Sequence, residues 1–155
     1  MKVKDFMIRS VITANESDSV EMILKKMAKY KIGGLPVVDA ENQLKGIVTD
    51  GDVLRYLTPT EENMYIYWAY YVTGVPEIPE TPEASVASKK GDHVKDFMKK
   101  KVATISEDDT LKSAIELLAR HHFKKIPVLN EEMKVVGIIS RGDIIRRLSE
   151  KFLTK

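Results

Sequence analysis

Gly46-Ile47-Val48-Thr49-Asp50-Gly51-Asp52 returns later in the chain as Gly137-Ile138-Ile139-Ser140-Arg141-Gly142-Asp143. The register extends in both directions without a gap. Residues 3–57 align with 94–148, and roughly 19 of the 55 pairs are identical, too many for coincidence. Val3-Lys-Asp-Phe-Met7 falls on Val94–Met98, Thr13 on Thr104, Pro36-Val37 on Pro127-Val128, and Leu57 on Leu148. A repeat of this kind is a supersecondary unit that cannot bury its apolar face alone and stacks on a copy. Two copies make a closed pair rather than a solenoid. The cleft between them has approximate two-fold symmetry, and function is to be sought there.

Working outward from the quoted stretch, Leu44–Val48 reads as a strand and Asp52–Leu57 as a helix. Leu35–Val38 is a second short strand, and the polar turn Asp39–Asn42 suggests a hairpin. Val20, Ile23, Leu24 and Met27 share one helical face, which predicts a helix over 19–31. Asp18 with Glu21 fits an N-cap and its reciprocal partner, and Gly33-Gly34 fits the end of that helix. The second copy repeats the order: a helix marked by Leu111, Ala114, Ile115 and Leu118, strands Ile126–Leu129 and Val135–Ile139, and a helix from near Asp143. The runs at Val11-Ile12 and Val102-Ala103 predict one further extended segment per copy. The expected fold is α/β of the α+β type. Two pseudo-symmetric units, each a small sheet with two helices on one face, pack through sheets and helices around a central cleft. The expected division is 1–57, 58–92 and 93–155.

The 155 residues suffice for one domain or two half-domains sharing a core. A net charge of +2 gives no field that argues for nucleic acid by itself. There is no cysteine, so disulfides and thiolate chemistry do not enter. No apolar run approaches the roughly 20 residues that span a bilayer. The N-terminus carries no apolar targeting segment, and the expectation is a soluble, cytoplasmic protein without a membrane partner.

Residues 58–92 have no counterpart in the repeat. Glu61–Thr73 concentrates Tyr65, Tyr67, Trp68, Tyr70 and Tyr71 and reads as a helix. Its aromatic residues suit packing on the body or across a dimer interface, or an exposed patch for a protein partner. Val75–Glu83, proline-spaced and acidic, reads as an extended, solvated linker.

Each quoted motif runs from a strand end through a glycine turn into a helix start. A hydroxyl and a carboxylate three residues apart are thereby displayed at a helix N-terminus, where free N–H groups and the positive dipole end favour phosphate. Asp52 and Asp143 can accept two hydrogen bonds from a vicinal diol, and Thr49 and Ser140 can bond a phosphate oxygen or sugar hydroxyl. Asp, Ser and Thr are also ordinary N-caps. Two copies facing a shared cleft favour binding over capping alone.

On these residues the chain resembles a tandem pair of CBS domains, also called a Bateman module. The likeness rests on both Val-Lys-Asp-Phe-Met openings, on Thr13 and Thr104, on the two Pro-Val pairs, and on Gly-apolar-x-[Thr/Ser]-x-x-Asp in both copies. The resemblance implies that Asp52 and Asp143 hold a ribose, with Thr49 and Ser140 near the phosphate. It implies that Ile12-Thr13, Ala103-Thr104, Leu35-Pro36 and Ile126-Pro127 frame an adenine. It also implies AMP, ADP, ATP or an adenosylmethionine-type compound as regulatory ligand, a homodimer, and no further cofactor.

Comparison of the copies exposes a charge asymmetry. Asp50 is matched by Arg141, and Gly33-Gly34 by Lys124-Lys125, next to His121 and His122. Arg binds phosphate bidentately whereas Asp repels it. The Arg141 site is therefore expected to prefer phosphorylated nucleotides, with Lys125 nearby, and the Asp50 site to stay empty or take a less anionic ligand. There is no Gly-rich Lys-Ser/Thr phosphate loop, no nucleophile with an apparent base and no metal-ligand cluster, so no catalytic or metal residues are assigned. A dimerisation scaffold without nucleotide binding is the alternative. Nucleic-acid binding through Lys99–Lys101, Lys124-Lys125 and Arg146-Arg147 ranks third.

Overall fold

A computed structural model describes residues 1–58, 62–74 and 81–153, with the backbone alone over 62–67. In the first half, β1 (Ala14–Asn15), α1 (Val20–Tyr30), β2 (Gly34–Val38), β3 (Leu44–Thr49) and α2 (Asp50–Leu57) follow in order. The connecting segment carries α3 (Glu62–Thr73) and α4 (Pro82–Lys89). The second half repeats the first as β4 (Ile105–Ser106), α5 (Leu111–Arg120), β5 (Lys125–Leu129), β6 (Val135–Ser140) and α6 (Arg141–Phe152). Each half holds a three-stranded sheet, β1-β2-β3 or β4-β5-β6, parallel in its first pairing and antiparallel in its second.

The two faces of each sheet have different tasks. Leu35, Val37 and Val48 point to one face and join Ile23 of α1 and Val53 of α2 in the first core. Ile126, Val128 and Ile139 do the same with Ala114, Leu118 and Ile144 in the second. Both helices of a unit thus cover the same side of its sheet. An extra residue at Lys45 shifts the β2–β3 register between Val37 and Val38, and such a bulge re-aims the residues beyond it. Leu44 consequently turns away from the helices to the opposite face. There Val38, Leu129 and Val135 form a third cluster with Val11 and Leu44, the seam between the halves. The hairpin ends also bond across it: Val135 N–H donates to Asn42 O, and Asn42 Nδ2 donates to Val135 O.

The two Val-Lys-Asp-Phe-Met leaders are exchanged. Val3 and Met7 are buried in the second half's core, while Val94 is buried in the first's. Ile8 trades two backbone hydrogen bonds with Ile138 of β6, and Lys99 trades two with Ile47 of β3. Each leader thus extends the other copy's sheet. Burying one such valine contributes about 1.5–3 kcal/mol. Glycine at the crossing lets the leader approach closely. A Cβ on Gly46 would lie 2.7 Å from Lys99 O, and one on Gly137 would collide with Met7 Sδ. The same geometry accounts for the prolines. Ile47 spends its N–H and C=O on the leader, so its partner Pro36 points its missing N–H away from β3, and β1 begins pairing only at Val37. Pro127 opposite Ile138 repeats this.

Four local expectations are corrected. The cap of α1 is Ser19, whose hydroxyl accepts from Met22 N–H, because Asp18 turns back to Asn15 N–H and to Lys26 Nζ. That helix ends on Lys31 in the left-handed region (φ 52°), so Gly33 and Gly34 are not its terminators. Gly33 instead leaves room for Asp50, whose Oδ2 a Cβ there would approach to 2.8 Å. The extended segments expected at Val11-Ile12 and Val102-Ala103 pair only further on, at Ala14 and Ile105. Of the proposed acidic linker, residues 75–80 lie outside the described residues. Its end opens α4, with Thr81 accepting from Ala84 N–H and Pro82 in the first turn, where a missing N–H costs nothing.

Candidate functional site

The helices α2 and α6 start with matching capping boxes. Thr49 Oγ accepts from Asp52 N–H, and Asp52 Oδ2 in return accepts from Thr49 N–H and hydroxyl, both at 2.9 Å. Ser140 and Asp143 repeat the arrangement at 2.8 and 2.7 Å. Capping is therefore one function of both carboxylates, and it uses one oxygen of each. The other oxygen of Asp52, Oδ1, faces Arg55 Nη2 at 2.7 Å and Lys99 Nζ at 3.6 Å. Burial works to raise the pKa of Asp52. The Thr49 donors, Arg55 and Lys99 together outweigh it and hold the carboxyl below its ordinary value. The N–H groups expected to be free at α2 are engaged: Asp50 N–H donates to Gly33 O and Gly51 N–H to Asp50 Oδ1.

Beside this helix start lies a cavity of about 310 Å³. Gly33, Gly34, Thr49, Asp50 and Gly51 form its wall from the first copy, while Val102, Ala103, Lys124 and Lys125 form the facing wall from the second. Arg55, Lys99 and Lys101 add further positive charge, and His122 and Phe123 close one end. Five permanent cations thus face the single lining carboxylate of Asp50, in a chain whose net charge is only +2. The chain's positive potential is focused here. A smaller space of about 150 Å³ next to Asp143 is lined by Phe6, Ile8, Asp143, Arg146, Arg147 and Glu150, and the positions matching Thr49, Asp50 and Gly51 do not line it. Small-molecule sites span about 300–1,000 Å³, and the first cavity reaches that range.

Arg141, expected to face phosphate, is engaged with backbone carbonyls. Arg141 Nε donates to Leu118 O at 3.1 Å and Nη2 to His121 O at 2.7 Å. Its guanidinium satisfies the last carbonyls of α5, where a cation is favoured. The lysines of the second copy line the Asp50 cavity instead, because each wall of the cleft takes its residues from a different copy. Of the sequence-derived positions, Thr49, Asp50, Ala103 and Lys125 line the cavity and Asp52 sits behind Thr49. Leu35, Pro36, Ile126 and Pro127 are fully buried, Leu35 and Ile126 in the two cores. Ile12 packs on the first core, and Thr13 gives its carbonyl to Lys26. Thr104, beside Ala103, is half-buried outside the lining. Arg55, Lys99, Lys101 and Lys124 were not singled out as ligand-binding positions. For Arg55 the available signal was its recurrence as Arg146, three residues after each Asp.

The connecting helix α3 leaves Trp68, Tyr70, Tyr71 and Val72 exposed. The side chains of Met64, Tyr65 and Tyr67 lie outside the described residues. Among the described residues no group of three His, Cys, Asp or Glu is placed to hold a metal, and no helix is long and apolar enough to cross a membrane.

The family profile described as CBS domain matches residues 3–59 and again 94–150. An uncharacterized protein of Methanocaldococcus jannaschii is 26% identical over 159 residues, covering 96% of this chain and 91% of that one. The inosine-5'-monophosphate dehydrogenase of the same organism is 30% identical over 146 residues, 94% of this chain but 23% of the enzyme. The chain therefore spans about a quarter of that enzyme's length. Among solved structures, the CBS-pair protein CBSX2 from Arabidopsis thaliana superposes with a TM-score of 0.76 at 26% identity, covering 99% and 98% of the two chains. CBSX2 in complex with AMP gives a TM-score of 0.72 at 25% identity over 96% of each.

Proposed function

The chain belongs to the CBS domain family, as a pair of such domains, and from that premise we propose that it is a regulatory module whose cavity beside α2 takes an adenine nucleotide. The observation that carries the reading is the mixed wall of that cavity. Five cations suited to phosphates line it beside Thr49, and behind Thr49 lies the capped carboxylate of Asp52, whose second oxygen is suited to a ribose diol. CBSX2, similar over nearly all of its length, has been solved with AMP, which supports an adenosyl ligand. The cation excess favours AMP, ADP or ATP over a positively charged adenosylmethionine-type compound. In this reading Asp52 receives the ribose, Thr49 and the lysines face the phosphates, and Ala103 with Val102 borders the base. The Asp143 site is the lesser one.

The output is conformational. A ligand touching both walls biases the angle between the halves only as far as it prefers one arrangement. The proposal includes a second copy of the chain or another protein as reader, with the exposed aromatic face of α3 supporting such a contact. It also includes the division at 57 and 93 and a cytoplasmic setting. No catalytic step is part of it.

Calorimetric titration with AMP, ATP and adenosylmethionine tests the reading. ATP binding is expected to drop by about 10- to 100-fold in Asp52→Asn, as one charge-assisted hydrogen bond contributes about 1.5–3 kcal/mol. Asp143→Asn is expected to leave it nearly intact. Equal losses would return the two sites to parity. No binding of any of the three ligands would leave a dimerisation scaffold as the better reading.

A further inference from the structure

The outward oxygen of Asp52 is already occupied. Arg55 Nη2 donates to it at 2.7 Å, and the Arg55 side chain is 67% exposed where that of Asp52 is 5%. The guanidinium lies across the helix start, since a Cβ on Gly51 would come within 3.2 Å of Arg55 Nη1. Arg55 therefore covers the carboxylate from the cavity side. In the other copy the equivalent pair, Arg146 with Asp143, is looser at 3.5 Å. A diol that bonds Asp52 Oδ1 has to displace Arg55 from it. The displaced guanidinium then stands in a cavity where Lys101, Lys124 and Lys125 take part in no ion pair among the described residues. Its one remaining acidic neighbour in that lining is Asp50, so a ligand that brings negative charge offers it more than one that does not.

We infer that Arg55 is the specificity-determining residue of this cavity: it competes for Asp52 against a neutral nucleoside and transfers to the phosphates of a nucleoside triphosphate. The inference rests on the reading of Asp52 as the acceptor for a ribose diol. Selection here is an exchange of partners. An uncharged ligand gives Asp52 its hydroxyls but brings the displaced Arg55 guanidinium no anionic partner. A polyphosphate replaces it with a bidentate contact, which the planar fork of arginine favours. Lys101, Lys124 and Lys125 supply the remaining countercharge, so discrimination rises with the number of phosphates.

The experiment is calorimetric titration of the full chain and of Arg55→Ala with adenosine and with ATP at one ionic strength. Arg55→Ala is expected to bind adenosine about three- to fivefold more tightly, as the release of a half-exposed ion pair allows. The same variant is expected to bind ATP about tenfold or more weakly, as the loss of one charged contact implies. Opposite signs for the two ligands support the exchange. Weakening of both, or no change for adenosine, overturns it, because a merely structural arginine moves both ligands together. Arg55→Gln, which can still donate to Asp52 without the charge, is expected to lose ATP affinity with no gain for adenosine. A gain there also overturns the inference. Binding of neither ligand by the unsubstituted chain overturns the nucleotide reading of the cavity, and this inference with it.

Discussion

Alanine at Gly46 is expected to detach the second leader from the first sheet. A Cβ at that position would lie 2.7 Å from Lys99 O and 2.8 Å from Met98 Sδ. The thioether can swing aside, but the carbonyl belongs to a backbone held by two hydrogen bonds of 2.9 Å to Ile47. To reach ordinary contact the leader has to retreat by roughly 0.7 Å, which stretches both bonds past useful length. Each contributes about 1 kcal/mol net, and overpacking in a filled site is of similar size. The two partly relieve one another, so about 2–3 kcal/mol is expected. Urea unfolding reads it as a midpoint lower by about 1 M at an unchanged slope. The control is Gly142→Ala in the first turn of α6, where a Cβ would meet only Ser140 Oγ at 3.7 Å. That substitution is expected to be neutral or to stabilise by up to about 1 kcal/mol. An unchanged midpoint for Gly46→Ala, with the control behaving as expected, refutes the crossing of the leaders as drawn.

Two pH predictions follow from charged contacts that hold the leaders and the connecting segment. Asp108 carries both Lys4 and Lys2, and their hydrogen bonds lower its pKa from 3.8 to about 2. A depressed carboxylate stabilises above its unfolded pKa, so the advantage over Asp108→Asn is expected to vanish as pH falls from about 4 to 2, measured by urea midpoints. Tyr56 donates to Asp92, which with burial raises its pKa from 10.0 to about 12. A raised phenol stabilises fully below pH 10, so the difference between the unsubstituted chain and Tyr56→Phe is expected to close between pH 10 and 12. Tyrosinate absorbance should show one late-titrating ring that is missing in the variant.

Repetition made the secondary structure legible. Period-two and helical patterns appear twice in one register, so each copy corroborates the other. The Thr49–Asp52 and Ser140–Asp143 pairs were legible for the same reason, although the motif could not say that the cap takes one oxygen of each carboxylate. The leaders were opaque because Val3 and Val94 are apolar in either arrangement, and the partner they choose is distant in sequence. Aligning the copies also misled in one respect. It groups Lys124 and Lys125 with Arg141, whereas the cleft sets them against Thr49 and Asp50. Sequence shows the charge of Arg141 but not the carbonyls of Leu118 and His121 within its reach. Ser19 outranked Asp18 as cap by a difference in side-chain direction that no spacing encodes.

The exchange of leaders also orders events in time. As the chain is synthesised, β1 through α2 are complete while the edge of β3 and the space for Val94 stand open. Nothing made before residue 94 closes them. The second half has the reverse history: Val3–Met7 is made first and waits for a sheet that does not yet exist. The nascent first half therefore presents an unpaired strand edge at Ile47 for as long as the connecting segment takes to emerge. On a crowded ribosome track, a neighbouring chain's leader fits that edge as well as the chain's own.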